Sequence, residues 1–272
     1  MSNRERSSAA APDRAPALYG WAMRRLAPLQ GGEGFVLFLL YFLLAAGGLW
    51  HLLGWFQELM RLLAAPMLIA VALLVSYAHG HHYELWRGPA GARLRWLGFL
   101  AGVLLSAFWL EWAGVTTGKI FGRYAYGEKL QPQLFGVPLA IGFAWLSMVL
   151  SSAAVADRLI GAWTRRAQVR RGLEPPSVKV TPVSDRALLR ILLTALLMLF
   201  FDWVMEPAAV RLGYWSWQEG IIPLQNYLAW FLFSFLYAAA AWRLGFLQRG
   251  APRLSRHAWL AQIIYFLMVR LG

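Results

Sequence analysis

Residues 111–145 read EWAGVTTGKIFGRYAYGEKLQPQLFGVPLAIGFAW, and residues 202–230 read DWVMEPAAVRLGYWSWQEGIIPLQNYLAW. A single offset lays Glu111-Trp112 on Asp202-Trp203, Gly122 on Gly213, and Tyr124 and Tyr126 on Trp215 and Trp217. After a short deletion Pro138-Leu139 meets Pro223-Leu224, and Trp145 meets Trp230. Each copy predicts a helix ending in an acid and a tryptophan, a glycine and aromatic hairpin, then a helix that opens on proline. Internal repeats set in apolar sequence mark membrane proteins whose site lies between the copies.

Composition agrees. The 272 residues are 59% hydrophobic and 14% charged, with mean hydropathy +0.49, whereas a soluble domain carries about 25% charged residues. The absence of cysteine excludes disulfides, thiolate metal sites and cysteine nucleophiles. The first thirty-odd residues lack a short apolar core followed by a small-residue cleavage site, so no cleavable signal peptide is expected. Residues 1–33 read as a basic, partly disordered tail. Within it, 18–29 mixes apolar residues with Arg24 and Arg25, compatible with lying on a membrane surface or with a plain basic tail. Residues 34–272 read as a single transmembrane helical domain, with repeat units at about 96–156 and 187–244.

Runs at 35–55, 62–79, 96–115, 134–156, 187–210 and 224–244 approach the roughly 20 apolar residues that cross a bilayer. A shorter run, 258–271, crosses with tilt or local thinning, or only dips in. The expected fold class is therefore an all-α polytopic membrane protein of about seven transmembrane helices, with an internal parallel two-helix repeat. Most of the 26 Lys and Arg residues fall in the tail and in the loops 80–95, 158–186 and 243–257. The opposite side keeps Arg61, Lys119, Arg123, Lys129, Arg211 and Arg270. The positive-inside rule then sets a cytoplasmic N-terminus in the inner membrane, with both hairpins on the outer face. It also accounts for the net charge of +13, which in a soluble protein would suggest nucleic acid.

Ionisable groups inside apolar helices are costly, and they usually face the bundle interior or a water-filled cavity. Glu111 lies between aromatics in FWLEWAG, and Asp202 and Glu206 lie one turn apart on one helix face. Two carboxylates that close in a low dielectric do not both ionise easily, which keeps a proton available near neutrality. The plainer readings are a Glu206–Arg211 salt bridge and structural hydrogen bonding by Glu111 and Asp202. Pro207 frees the carbonyl around Trp203, and Thr116, Thr117 and Asn226 are candidates to orient a water there. A threonine hydroxyl can equally bond within its own helix. Trp112, Tyr124, Tyr126, Trp203, Trp215, Trp217, Tyr227 and Trp230 read either as an interfacial belt or as a pocket whose π-faces stabilise a cation. The alternating spacing in the hairpins favours the pocket for Tyr124, Tyr126, Trp215 and Trp217. His79, His81, His82 and Glu84 read as a polar helix end. A diiron membrane site needs histidines spread over several helix ends, and this chain has five in all. No Gly-rich phosphate loop, Ser-His-Asp set or H-E-x-x-H is present.

At these residues the chain resembles the membrane family of carotenoid biosynthesis that includes CruF-type carotenoid hydratases and bisanhydrobacterioruberin hydratase. The matching pieces are EWAGVTTG at 111–118, FGRYAY at 121–126, LFGVP at 134–138, DWVMEP at 202–207, GYWSW at 213–217 and IPLQNY at 222–227. They run from the third expected helix to the sixth. Glu206-Pro207 departs from the Asp-Pro of many relatives. The resemblance implies hydration of the terminal double bond of an acyclic carotenoid ψ-end group, with no redox cofactor required; from the residues themselves, no metal is expected. Acid chemistry fits: a carboxylic acid protonates the less substituted carbon, aromatic faces stabilise the tertiary cation, and a second carboxylate guides water.

The expected activity is thus a cofactor-independent carotenoid hydratase, with Glu111, Asp202 and Glu206 as catalytic residues. Trp112, Thr117, Tyr124, Tyr126, Trp203, Trp215, Trp217, Asn226 and Trp230 are the expected substrate contacts. The expected partners are a long apolar carotenoid of the lycopene or γ-carotene type and membrane lipid, not nucleic acid. The alternatives are a carotenoid end-group cyclase or isomerase, a non-catalytic carotenoid- or lipid-binding membrane protein, and a small-solute transporter.

Overall fold

In a bilayer an apolar run satisfies its backbone polar groups by folding as a helix, and the long apolar runs of this chain do so. The computed structural model describes residues 32–170 and 186–272. The expected surface segment at 18–29 and most of the linker before the fifth helix lie outside them. The helices are α1 (Gly32–Leu52), α2 (Gln57–His82), α3 (Ala90–Thr117), α4 (Ala140–Arg170), α5 (Ala187–Leu212), α6 (Leu224–Arg243) and α7 (Arg253–Leu271). The chain divides into units Met1–Leu40 and Tyr41–Gly272. The described part of the first is the opening of α1. The second holds the rest of α1 and every other element.

Among the described residues, five helices (α1 to α5) are long and apolar enough to cross a membrane. The chain is an all-α polytopic membrane protein. By the same measure α6 and α7 fall short of the seven expected crossings. α6 opens on Gln225 and Asn226, and α7 carries Arg253, Arg256, His257, Gln262 and Arg270. The fourth helix also starts later than expected, at Ala140 rather than at 134. Residues 133–138 instead form a tight hairpin, strands β2 (Gln133–Leu134) and β3 (Val137–Pro138). Its two turn residues, Phe135 and Gly136, both have positive φ (54° and 77°), the geometry whose twist suits a two-residue hairpin.

α4 is the central helix. Its apolar stretch is 78% buried, against 28% for α2 and α3 and 39% for α5. It packs on α2, α3, α5 and α7, while α5 packs on α6 and α7. The sequence provides for this with small side chains: Ser147, Ser151, Ser152, Ala153, Ala154 and Ala156 are all buried. Lipid tails are as apolar as leucine, so helices associate in the membrane through close packing of such small faces rather than through hydrophobic burial. An Asp157–Arg190 ion pair joins α4 to α5, and Arg190 also donates to the carbonyl of Leu247 (3.4 Å).

Strands β1 (Tyr124–Tyr126) and β4 (Trp215–Trp217), one from each quoted stretch, pair antiparallel. Tyr124 lies opposite Trp217, Ala125 opposite Ser216 and Tyr126 opposite Trp215. Gly127 N–H to Tyr214 O (2.8 Å) and Gln218 N–H to Arg123 O (3.0 Å) extend the ladder at both ends.

Candidate active site

Glu111 sits near the end of α3. The helix stops at Gly118, whose φ of 64° is a left-handed C-cap that glycine adopts without strain. One turn earlier, Gly114 leaves the space in which the chain folds back. A Cβ there would stand 2.7 Å from the Phe121 ring and 3.1 Å from the Tyr124 hydroxyl. The reversed chain brings Tyr124 and Tyr126 over the acid. Tyr124 Oη (2.5 Å) and Tyr126 Oη (2.8 Å) donate to Glu111 Oε2, and Trp145 Nε1 (2.8 Å) donates to Oε1. Burial, and then the Glu111 charge, hold both phenols well above the ordinary tyrosine range, so they remain neutral donors.

Glu206, on α5, is held in the same manner by the second stretch. Trp215 Nε1 and Trp217 Nε1 each donate to its Oε2 at 3.0 Å. Asn226 Nδ2 lies 3.4 Å from Oε1, and 3.0 Å from Asp202 Oδ2. Contacts therefore match Glu111 with Glu206, whereas the sequence offset matches it with Asp202, one turn away. The cause is the connection between helix and strand. Gly213, with φ 68°, caps α5 as Gly118 caps α3, but β4 begins almost at once after its cap. An offset fixed on the hairpins therefore misplaces the helix.

Glu111 and Glu206 both line one cavity of about 50 Å³. A cavity needs upward of about 10–15 Å³ to hold a water, so there is room for a few. Its walls include Tyr124, Tyr126, Trp215, Trp217, Trp230 and Asn226 of the expected contacts. Trp145 and Trp230 stack on each other at 3.9 Å between centroids and 12° between planes, a pairing worth about 0.5–1.5 kcal/mol beyond its buried area.

Four expected site residues do not reach this cavity. Asp202 is fully buried behind Asn226, and its Oδ1 has no hydrogen-bond partner among the described residues. Trp112 and Trp203 are 37% and 50% exposed on the outside of the bundle. Thr117 donates to Ala113 O (2.5 Å) and Thr116 to Trp112 O (2.7 Å), so both hydroxyls bond within their own helix. The alternative Glu206–Arg211 salt bridge is not formed: Arg211 Nη1 donates to the carbonyls of Val269 (3.1 Å) and Arg270 (3.2 Å). The Trp203 carbonyl freed by Pro207 accepts from Arg270 Nη1 (3.5 Å), whose guanidinium lies 4.8 Å over the Trp203 ring.

Known proteins share much of this chain. A family model described as carotenoid biosynthesis protein matches residues 62–271. The chain belongs to that family. Among curated proteins, bisanhydrobacterioruberin hydratase of Haloarcula japonica is 29% identical over 161 residues, covering 58% of this chain and 48% of the relative. The alignment thus spans about half of that relative's length. No solved structure matches the chain.

The family match runs through α7, and so does the site. Gln262 and Phe266 of that helix line the cavity, as do Phe121 and Tyr214. The sequence ties the last helix to neither copy of the repeat, although Gln262 is a lone amide between apolar neighbours. Trp145 is legible in sequence as a marker of the repeat; its correspondence with Trp230 is the signal for its place beside the acid.

Proposed function

We propose that this chain is a carotenoid hydratase that adds water to the terminal double bond of an acyclic ψ-end group of the lycopene or γ-carotene type. The observation that carries the proposal is the pair of buried carboxyl groups, Glu111 and Glu206, in one small cavity walled by tyrosine and tryptophan. The partial identity to a hydratase supports it.

The two acids differ in how their oxygens are engaged. Glu111 has short donors on both oxygens, which favour its anion. Glu206 has two indole donors on Oε2 and one long contact, 3.4 Å, on Oε1. Oε1 of Glu206 is accordingly where a transferable proton resides. That proton adds to the less substituted carbon of the double bond, whose π-electron pair becomes the new C–H bond. The tertiary cation is stabilised by the surrounding aromatic faces and by the Glu111 charge. The oxygen of water then forms the C–O bond and its proton passes to Glu111. Return of that proton to Glu206 closes the cycle. Oxidation states balance with water as the sole co-reactant, so the scheme needs no redox cofactor. Asp202 Oδ2 accepts from Asn226 Nδ2 (3.0 Å) and so orients that amide beside Glu206. The distribution of basic loops supports an N-terminus in the cytoplasm and a site in the outer half of the inner membrane.

Co-expression with lycopene or γ-carotene producers tests the proposal. A product heavier by one water is expected. Unchanged mass with altered chromatography would mean cyclisation or isomerisation, and unaltered pigment would mean binding without catalysis.

A further inference from the structure

The acid cavity has an apolar neighbour. A second cavity of about 120 Å³ is formed by α1, α2 and α7, with Leu43, Gly47, Leu63, Met67, Val71 and Tyr265 in its wall. Leu68, Tyr214, Gln262 and Phe266 belong to the walls of both cavities. One layer of side chains therefore separates them. At the outside of the bundle Leu43 and Leu63 are each 42% exposed, so the second cavity adjoins the lipid-facing surface. The polar groups in the partition are engaged with the protein: the Tyr214 and Tyr265 hydroxyls bond each other, and Gln262 Nε2 donates to Ala258 O (3.0 Å). Apart from the Trp50 indole and the Gln262 carbonyl oxygen, what remains for a guest is hydrocarbon surface. Met60 and Met67 contribute side chains that adapt to irregular shapes.

Resting on the hydratase reading, we propose that this second cavity holds the hydrocarbon chain of the carotenoid next to its reacting end. The chain enters sideways from the bilayer between α1 and α2 and passes the Tyr214–Tyr265 pair. Only its terminal double bond then reaches Glu111 and Glu206. This division explains a small acid cavity in a protein with a very long substrate: the acids need to enclose only the end group and a water. It also favours a polyene over a phospholipid, because this wall holds no charged side chain to pair with a headgroup.

Gly47 and Met67 line the cavity from different helices, α1 and α2. A Cβ on Gly47 would meet the Tyr265 ring at 3.5 Å and the Met60 methyl at 3.9 Å, so a methyl group fits there and a phenyl ring fills the cavity. Gly47→Phe and, independently, Met67→Trp are compared with the unaltered protein in lipid nanodiscs. Each receives lycopene or a short acyclic isoprenoid ending in the same dimethyl-substituted double bond. Displacing even one methylene from an apolar site costs about tenfold or more. The expected result is therefore a fall of at least about tenfold in kcat/KM for lycopene, with kcat/KM for the short alkene unchanged. Equal losses on both substrates, or none, in whichever variant elutes as a folded monodisperse protein would overturn the proposal. If the unaltered protein hydrates neither substrate, the hydratase reading falls, and lycopene retained on purification decides the cavity's role. Lower retention by the variants supports a chain site, and equal retention rejects it. Loss of phospholipid with lycopene retained assigns the cavity to lipid and also rejects it.

Discussion

Glu206→Gln separates a catalytic acid from a structural one because the two roles predict different energies. The amide oxygen can take the place of Oε2 and keep both indole donors, Trp215 and Trp217, at their 3.0 Å positions. The amide nitrogen then faces Asn226, where only the long bond of 3.4 Å is broken. Hydrogen bonds to a charged group contribute about 1.5–3 kcal/mol and neutral ones about 0.5–1.5. With Glu206 protonated, both indole bonds are made to a neutral group before and after the substitution, so the cost is about that of the one long Asn226 bond, roughly 1 kcal/mol. The chemistry should suffer more. Loss of a general acid lowers rate by about 10²–10⁴-fold, or about 3–5 kcal/mol of barrier. The assay is hydrated product per unit of folded protein, from chromatography of pigment in a lycopene-producing host, beside thermal unfolding of the purified variant. A folded Glu206→Gln protein with unaltered turnover would refute the acid role. Arg211→Gln is the companion measurement. Arg211 donates to backbone carbonyls of α7 rather than to Glu206, so it should leave product formation intact.

Tyr126→Phe removes one donor from Glu111 Oε2 and leaves the Tyr124 bond; denaturation in detergent should show a loss of about 1.5–3 kcal/mol, with less product. Asp202→Asn, at a residue outside the cavity, should lower hydrated product by less than Glu206→Gln in the same pigment assay. Gly114→Val drives two methyl groups into Phe121 and Tyr124; it should destabilise by about 1–3 kcal/mol and abolish product even though it alters no acid.

The helices were legible because an apolar run in a bilayer has few other solutions, and because proline and glycine punctuate its ends. The pairing of acids with aromatics was legible in kind. Four hairpin aromatics were expected in a pocket, and Tyr124, Tyr126, Trp215 and Trp217 all line it. What sequence could not supply was helix register. An offset anchored on the hairpins put Asp202 in the place that contacts give to Glu206, because the connection from cap to strand differs in length between the copies. Trp112 and Trp203 lie outside the cavity for a related reason. Each adjoins an acid in sequence, but neighbours on a helix point about 100° apart, so an inward acid puts the next residue toward lipid. Thr116 and Thr117 had a near carbonyl within reach, and local bonding won. Gln262 and Phe266 come from a helix with no sequence link to either copy, and only packing brings them in.

Each carboxyl group takes its donors from its own stretch of chain: Glu111 from residues 124, 126 and 145, and Glu206 from residues 215, 217 and 226. This bears on how such a protein is assembled. A chain delivered to the bilayer from its N-terminus places Glu111 there long before α5 exists. An acid that waited for the other half would spend that interval unpaired in hydrocarbon. Here the first hairpin and the start of α4 can quench Glu111 as soon as they follow it, and the second acid is quenched by the next few turns of chain. The β1–β4 ladder, which joins residues far apart in sequence, can then form last between halves whose charges are already cared for. Biogenesis and catalysis thus make the same demand on the aromatic hairpins, and a variant that weakens a hairpin should be found in lower amount in the membrane before it is found to be slow.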